Sequence, residues 1–435
     1  MAGQDWIDPA AVVAVLALPV VAAVAARWRG DGASAASFVT NEGRNGYVAT
    51  VAGAVAGNVG IGGFFAFYLF TRESPLIGFS LAAAYTIGLL LCAWLAPKMR
   101  ERARETGTVG LVDLVHDAHG ARRMGPVWVP VAIVFVLRSA VQVGALGLII
   151  AEMLRVDHAL AVLACTGLLG AYLVLGGYRA AVETDVAQSI IVAVGVAVAA
   201  FGLGALAREP YEPFSLGPHA PALLAGIWLF LPWSAVLAID NWQRIVVARS
   251  GRVARRGYLI AAAICAGIFL VQVLAHLGAP LEGSMSARFG SLMPAGFGWL
   301  ATMVFVACIM SSVDTFIMPL VASLGAERGV ARLRLVIIAL LAVTAMTAIA
   351  FGDLLTSVIA AFSSLTVFLP AAFGALYLHR PPALAAILSM NAGMVSAVTF
   401  TLIDPDSAAL VGFVVAAISY AAGLRVGERA RSAEG

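Results

Sequence analysis

Long apolar runs alternate with short polar connections along the whole chain. Taking about 20 predominantly apolar residues as one membrane-spanning helix, we predict thirteen spans. They lie near residues 9–26, 46–70, 76–96, 127–154, 158–175, 185–207, 221–239, 257–277, 294–324, 331–350, 353–378, 382–402 and 407–424. The predicted fold class is an all-α polytopic membrane protein. The first run is interpreted as a retained helix, because acidic residues precede it where a signal peptide carries positive charge.

The basic residues between the runs test this count and orient the chain. Of the 27 Lys and Arg residues, 22 fall in connections on one side of the predicted membrane, Arg244 among them, and four fall on the other side. The positive-inside rule makes the richer side cytoplasmic. We therefore expect a bacterial inner-membrane protein with its N-terminus outside and its C-terminus in the cytoplasm. Arg138 falls inside the fourth span, where a charge is costly and marks a functional site.

The composition excludes several classes of function. The chain is 61% hydrophobic and 12% charged, against about 25% charged residues in a soluble domain, so a soluble enzyme is excluded. The basic residues form no single patch, which argues against nucleic acid as a partner. The four cysteines match neither a disulfide framework nor a zinc site. The six histidines lie almost entirely in loops or at helix ends, so we expect no intramembrane enzyme. We also expect no cofactor and no obligate protein partner.

The second span is rich in glycine. Five glycines and one polar side chain, Asn58, lie between Gly53 and Gly63, and such a segment is a poor continuous helix. One interpretation is an unwound segment whose free carbonyls hold a cation and whose half-helix ends face a substrate. Close helix packing is the alternative, since small residues favour it in membranes. The sequence leaves both open.

The ninth span carries a row of hydroxyl groups. Cys308, Ser311, Ser312 and Thr315 follow the spacing of one helical face, and Asp314 lies on its flank. Hard oxygen ligands of this kind suit an alkali cation better than zinc or calcium. The alternative is that the hydroxyls only bond carbonyls of their own helix. A carboxylate at membrane depth needs a partner or a function, which favours a cation site.

Two further polar groups lie at membrane depth. Asp185 and Gln188 share a face near the inner end of the sixth span, although a helix cap is an equally good interpretation. Arg138 and Gln142 lie one turn apart on the fourth span and form a donor-rich patch, in which an arginine fork suits a carboxylate. An internal ion pair of Arg138 with Asp314 or Asp185 is the alternative.

Three motifs resemble the sodium/solute symporter family, which includes the proline, pantothenate, sialic acid and sodium/glucose transporters. The segment GGYRAAVETDVAQ at residues 176–188 is similar to the family's GG-x-x-A-v-x-x-TD-x-x-Q. Met310-Ser311-Ser312 resembles its M-S-[ST] cation helix, and Trp242-Gln243-Arg244 followed by Ala248 resembles its Q-R-x-x-A-A stretch. Residues 38–44 are a weaker match. In family order, these motifs cover residues from about 38 to 400.

The resemblance implies a LeuT-like core of two inverted five-helix repeats. The expected organisation is an extra helix and cytoplasmic loop at residues 1–45, a first repeat at 46–207, and a second repeat at 208–378. Two further helices and a short cytoplasmic tail would occupy residues 379–435.

The resemblance also implies two cation sites. Family members bind sodium between the first and eighth core helices. The matching ligands here are the carbonyls of Ala52, Val55 and Cys308 and the hydroxyls of Ser311 and Ser312. Some members have a second site nearer the cytoplasm, and its matching positions are Asp185, Ser311, Asp314 and Thr315. Asp314 departs from the hydroxyl usual there, so the ion is sodium or a proton.

The expected function is sodium-coupled symport of a small organic solute by alternating access. Arg138 is similar in placement to the carboxylate-binding arginine of the family's sialic acid carriers. The positions that supply hydroxyls or the sugar-binding amide in relatives read Ala54, Ala56, Val59 and Leu231, so a sugar would lack partners. We therefore predict a small, anionic carboxylate or amino acid with an apolar body. Its predicted contacts are Arg138, Gln142, Asn58 and Trp233. A proton-coupled symporter and a non-transporting solute sensor are the alternatives.

Overall fold

A computed structural model of the chain describes residues 8–29, 34–280, 285–350 and 364–434. Every regular element in these ranges is helical. The helices are α1 (Pro9–Trp28), α2 (Ala35–Thr40), α3 (Tyr47–Asn58), α4 (Ile61–Glu73), α5 (Pro75–Thr106), α6 (Leu111–Ala118), α7 (Gly125–Leu154), α8 (His158–Gly202), α9 (Pro221–Leu237), α10 (Ile239–Val247), α11 (Gly251–His276), α12 (Met285–Gly290), α13 (Gly298–Ala322), α14 (Val330–Ala350), α15 (Leu369–Tyr377), α16 (Ala383–Ile403) and α17 (Ala408–Glu434). Of the predicted span at 353–378, residues 353–363 lie outside the described residues.

Within the described ranges, nine helices are long and apolar enough to cross a membrane, and two bent helix pairs bring the total to 11. One of the nine, α8, changes direction at Gly177, whose φ of 59° and ψ of −154° belong to a region that glycine alone adopts readily. The predicted fifth and sixth spans lie on either side of this residue. The all-helical membrane class is confirmed. The count of thirteen spans and the inverted repeat stay predictions.

The first bent pair corresponds to the predicted second span. The second pair consists of the predicted seventh span, at residues 221–239, and the short helix α10 that follows it. Helices α3 and α4 meet at 49° and α9 and α10 at 47°. The first break lies at Val59 and Gly60, and the second at Ala238, whose ψ of 119° is extended. The glycine-rich segment therefore does contain a helix break, which is one of the two interpretations that its composition left open.

Helix α13 is at the centre of the molecule. Its apolar window is buried throughout, and it packs against α3, α7, α8 and α10. Its row of polar side chains, from Cys308 to Thr315, is therefore enclosed by protein and faces no lipid.

Arg100 of α5 fixes the short helix α10. Its side chain donates to the carbonyls of Ile245, Val246 and Ala248 at 2.8, 2.5 and 2.5 Å. The last carbonyls of a helix lack intrahelical donors, so this guanidinium caps α10 and holds the helix against the core.

Candidate functional site

The two helix breaks face each other and are joined by a pair of amide side chains. Asn58, the last residue of α3, donates through Nδ2 to Asn241 Oδ1 at 3.0 Å, and Asn241 Nδ2 donates to Asn58 Oδ1 at 3.3 Å. Tyr85 donates to Asn58 Oδ1 at 3.2 Å, and Tyr258 donates to Asn241 Oδ1 at 2.9 Å. Buried polar groups are costly unless they are hydrogen-bonded. This network therefore holds the two breaks together.

A cavity of about 170 Å³ lies beside the break between α3 and α4. A cavity needs about 10–15 Å³ to hold one water molecule, so there is room here for a small organic molecule. Its wall is mostly apolar. The aromatic residues that line it are Phe67, Phe70, Tyr85, Phe230, Phe269 and Phe316. Its charged lining residues are Arg138 and Asp406.

Arg138 brings a buried positive charge to the cavity wall. The carbon of its guanidinium lies 4.5 Å from the ring centroid of Phe316 and 5.3 Å from that of Phe135. Gln142 accepts a hydrogen bond from the backbone N–H of Ile61 at 3.1 Å. The first N–H groups of a helix lack intrahelical partners, so Gln142 fixes the start of α4. Both residues line the cavity, and their contact with a solute stays a prediction.

The other two residues predicted to contact substrate are placed differently. Asn58 lines the cavity, but its amide is already bonded to Asn241 and Tyr85. Trp233 packs edge-on against Phe373, with ring centroids 5.3 Å apart, and it is outside the described lining of the cavity. Asn58 is therefore placed to shape the cavity, and Trp233 belongs to the packing behind it.

The hydroxyl ligands predicted for sodium are buried on α13. Ser311 and Ser312 donate to the carbonyl of Cys308 at 3.2 and 2.8 Å. These are the bonds to the residues' own helix that the sequence left as an alternative. A hydroxyl that donates its proton keeps two acceptor lone pairs. Both oxygens therefore remain able to bind a cation.

Two of the three carbonyl ligands predicted for sodium, those of Ala52 and Val55, lie on α3, which packs against α8 and α13. The carbonyl of Ala52 accepts a hydrogen bond from Ser189 of α8 at 2.8 Å, and that of Val55 accepts the N–H that follows α3 at 2.9 Å. A Cβ built on Gly60 would lie 2.6 Å from Ser312 Oγ. The hydroxyl of Ser312 therefore lies directly against the break. Sodium binding by these residues stays a prediction.

A guanidinium lies among the residues of the predicted second cation site. Arg244 Nη2 donates to Asp185 Oδ2 at 3.0 Å and to Thr315 Oγ1 at 2.6 Å, and Nη1 donates to Asp240 Oδ2 at 2.8 Å. The side chains of Arg244, Asp185 and Asp240 are 5%, 3% and 1% exposed. The network links α10 to α8 and α13. Removing one of its charges would leave the other buried without a partner, which costs about 3–5 kcal/mol.

Asp314 has different partners. Tyr172 donates to Asp314 Oδ2 at 2.5 Å, and the backbone N–H of Thr315 donates to Oδ1 at 2.6 Å. Asp314 is therefore held by a phenol and a backbone group, while Asp185 has the guanidinium of Arg244 as its partner.

The placement of Arg244 in a cytoplasmic connection is wrong. The residue lies on α10 and is 4% exposed. Helix α10 has only nine residues and carries several polar side chains, so it lies beyond the apolar window of the predicted seventh span. A signal was present in the sequence, because Asp240 and Arg244 are four residues apart and such pairs share a helical face. Asn241 and Tyr172 are further site residues that the sequence analysis missed.

This arrangement defines a class of protein. Two broken helices, a cavity at the break, and buried hydroxyl groups beside it, all within a bundle of membrane-length helices, are typical of secondary transporters. The structural comparisons agree. A Na⁺-coupled sialic acid symporter in a substrate-bound outward-open state superimposes with a TM-score of 0.75, over 97% of this chain and 98% of that chain, at 14% identity.

Two other transporters share the fold. Closed Mhp1 with bound bromovinylhydantoin, a transporter of the nucleobase-cation-symport-1 family, has a TM-score of 0.58, 14% identity, and coverage of 90% of this chain and 95% of that chain. A variant of the manganese transporter of Eremococcus coleocola has a TM-score of 0.58, 11% identity, and coverage of 87% and 94%. At these identities the likeness establishes the fold alone.

The sequence comparison finds a family match over part of the chain. The model of the sodium:solute symporter family matches residues 43–205, which confirms the resemblance inferred from the motifs. No curated protein sequence matches the chain. The family and the structural neighbours are transporters, which confirms the expectation of a membrane transporter and not an enzyme.

Proposed function

We propose that the protein couples the inward movement of sodium to that of a small carboxylate with an apolar body, such as an apolar amino acid. The observation that carries this proposal is the cavity beside the α3–α4 break. It combines a largely aromatic wall with the buried guanidinium of Arg138. A guanidinium binds a carboxylate through two parallel hydrogen bonds. The apolar wall would stabilise a hydrocarbon body and would leave the hydroxyls of a sugar without partners.

The position of the cavity supports an outward-facing conformation. Its lining includes Leu223 at the start of α9, and Pro405 and Asp406 between α16 and α17. The positive-inside rule puts both of these segments on the outer side of a bacterial inner membrane. Toward the cytoplasm, the buried network of Arg244 closes the path. Alternating access would then require α10 to separate from α8 and α13 as the outer end of the cavity closes.

Sodium would act through the junction of α3 and α13. An ion held by the carbonyls of Ala52 and Val55 and by the hydroxyls of Ser311 and Ser312 would bridge these two helices. The hydroxyl of Ser312 lies against the break that also borders the cavity. Bound sodium would therefore favour the same backbone arrangement as bound solute, and each ligand would raise the affinity for the other by the same factor.

The test is solute binding and uptake with and without sodium. We would screen small carboxylates and apolar amino acids by thermal shift of the purified protein in sodium or choline chloride. Uptake of a stabilising solute would then be measured in proteoliposomes. Ser312→Ala removes one proposed sodium ligand. Ser323→Ala is the matched control, because Ser323, which directly follows α13, is also buried and donates to the carbonyl of Leu320 at 2.7 Å.

We expect sodium-dependent stabilisation and uptake in the wild type and in Ser323→Ala. In Ser312→Ala, uptake should lose its dependence on sodium. Equal sodium dependence in both variants would refute the assigned ion site. Stimulation by low pH in place of sodium would support proton coupling. Solute binding without any uptake would support a sensor.

A further inference from the structure

The residues matched to a second cation site already surround a positive charge. Arg244 donates to Asp185 and Thr315, which are two of the three residues that the sequence places in that site alone. It also donates to Asp240 on its own helix. A carboxylate and a hydroxyl are the kinds of oxygen ligand that an alkali cation would use. The guanidinium supplies one positive charge at the same place.

The glycine-rich helix is shaped to admit this side chain. A Cβ built on Gly53 would lie 3.0 Å from Arg244 Cδ, and nearer still to its Nε. A Cβ on Gly57, one turn further along α3, would overlap Arg244 Nη1. The two residues share one face of α3. The lack of side chains at Gly53 and Gly57 therefore makes room for Arg244. The same glycines also weaken the helix.

We propose that Arg244 is a tethered cation that occupies the second cation site, so that the protein binds and exchanges a single sodium ion. This inference rests on the proposed sodium-coupled symport and deepens it, because it sets the number of coupling ions. Asp185 and Thr315 then hold the network of α8, α10 and α13 together in place of binding an ion. The exchangeable sodium is the one beside Ser311 and Ser312.

If the guanidinium is removed, further buried oxygens are available to bind a cation. Asp185 Oδ1, Asp240 Oδ1 and Gln188 Oε1 are buried and have no hydrogen-bond partner among the described residues. Unpaired buried acceptors of this kind favour a cation. Replacing Arg244 with an uncharged side chain leaves Asp185 and Asp240 without their cation. In the wild type, the guanidinium occupies this position and excludes sodium. We therefore expect Arg244→Gln to bind a second sodium ion there.

The first measurement is the number of sodium ions bound by the purified wild-type protein, counted by equilibrium dialysis with radioactive sodium in a choline background. We expect about one ion per chain. Asp185→Asn should still bind about one, because Asp185 contacts Arg244 and not sodium. In a two-site protein, the wild type would bind two ions, and Asp185→Asn would bind one. That pair of results would overturn the inference while leaving sodium-coupled symport intact.

The second measurement is the sodium dependence of thermal stabilisation at constant ionic strength. The wild type should give a Hill coefficient of about 1, and Arg244→Gln should approach about 2. The double variant Arg244→Gln with Asp185→Asn should return to about 1. A Hill coefficient of about 1 in a folded Arg244→Gln protein would refute the tethered cation. If Arg244→Gln does not fold, the ion counts of wild type and Asp185→Asn decide the question. A wild type that binds no sodium would refute the proposed function itself.

Discussion

The packing of Gly57 against the Arg244 network gives a sharp prediction for Gly57→Ala. The added Cβ would lie 2.9 Å from Thr315 Cγ2 and closer still to Arg244 Nη1 and Asp240 Oδ2. Extra volume in a well-packed core costs about 1–3 kcal/mol. If the guanidinium is forced off its carboxylates, the cost rises toward the roughly 3–5 kcal/mol of a broken buried ion pair. Alanine is the better helix former by about 1 kcal/mol. The expected net loss is therefore about 0–2 kcal/mol if only the packing is disturbed and about 2–4 kcal/mol if the ion pair is broken.

Gly63→Ala is the matched control, because a Cβ there meets nothing within 4 Å. Intrinsic tryptophan fluorescence would follow thermal unfolding of each purified protein in detergent. We expect Gly57→Ala to unfold several degrees below the wild type and Gly63→Ala to unfold at or above it. In an Arg244→Gln background, Gly57→Ala should lower the unfolding temperature less, because the side chain nearest to the added Cβ is then shorter. Equal unfolding temperatures for the two alanine variants would refute the packing argument.

Two further predictions concern the connection after α6 and the kink in α8. Burial lowers the pKa of His119 from 6.5 to about 4, and its Nε2 lies 3.0 Å from Tyr420 Oη. The unfolded chain therefore takes up the proton first, and stability is lost as the pH falls from about 6.5 through 4, by about 2 kcal/mol at pH 5. The unfolding temperature of His119→Gln should fall less than that of the wild type between pH 7 and pH 5, and parallel curves would contradict this. Gly177→Ala places a Cβ at a φ of +59° and 2.7 Å from the carbonyl oxygen of Phe38. It should lower the unfolding temperature, whereas Gly167→Ala, with open space around it on the same helix, should not.

Local composition predicted the features of the site that depend on one stretch of chain. Glycine density indicated a break after Asn58 as one of two open interpretations, because glycine is a poor helix former. Arg138 and Gln142 were predicted to share a patch because they lie one turn apart on a span, and both line the cavity. These inferences needed only helical spacing and the cost of burying a charge.

The contacts between side chains far apart in the chain could not be predicted from the sequence. Asp185 and Arg244 are 59 residues apart, and Asn58 and Asn241 are 183 apart. Each of these side chains has several chemically acceptable partners, and tertiary packing chooses among them. Counting arginines by side of the membrane also treats every arginine beyond an apolar window as exposed. That assumption is wrong for Arg244, because α10 continues the seventh span into the protein interior.

The guanidinium between Asp185 and Thr315 has a consequence for the energy source of transport. A positive charge fixed to the chain is returned in every cycle and carries no current. With one sodium ion and one carboxylate of net charge −1, in contrast to a zwitterionic amino acid, the loaded carrier would cross the membrane without net charge movement. Such a cycle gains nothing from the membrane potential, which is worth about 2.3 kcal/mol per charge at 100 mV. It would draw on the sodium concentration gradient alone, at about 1.4 kcal/mol for each tenfold difference. Accumulation of the solute would then be limited to the ratio of sodium concentrations across the membrane.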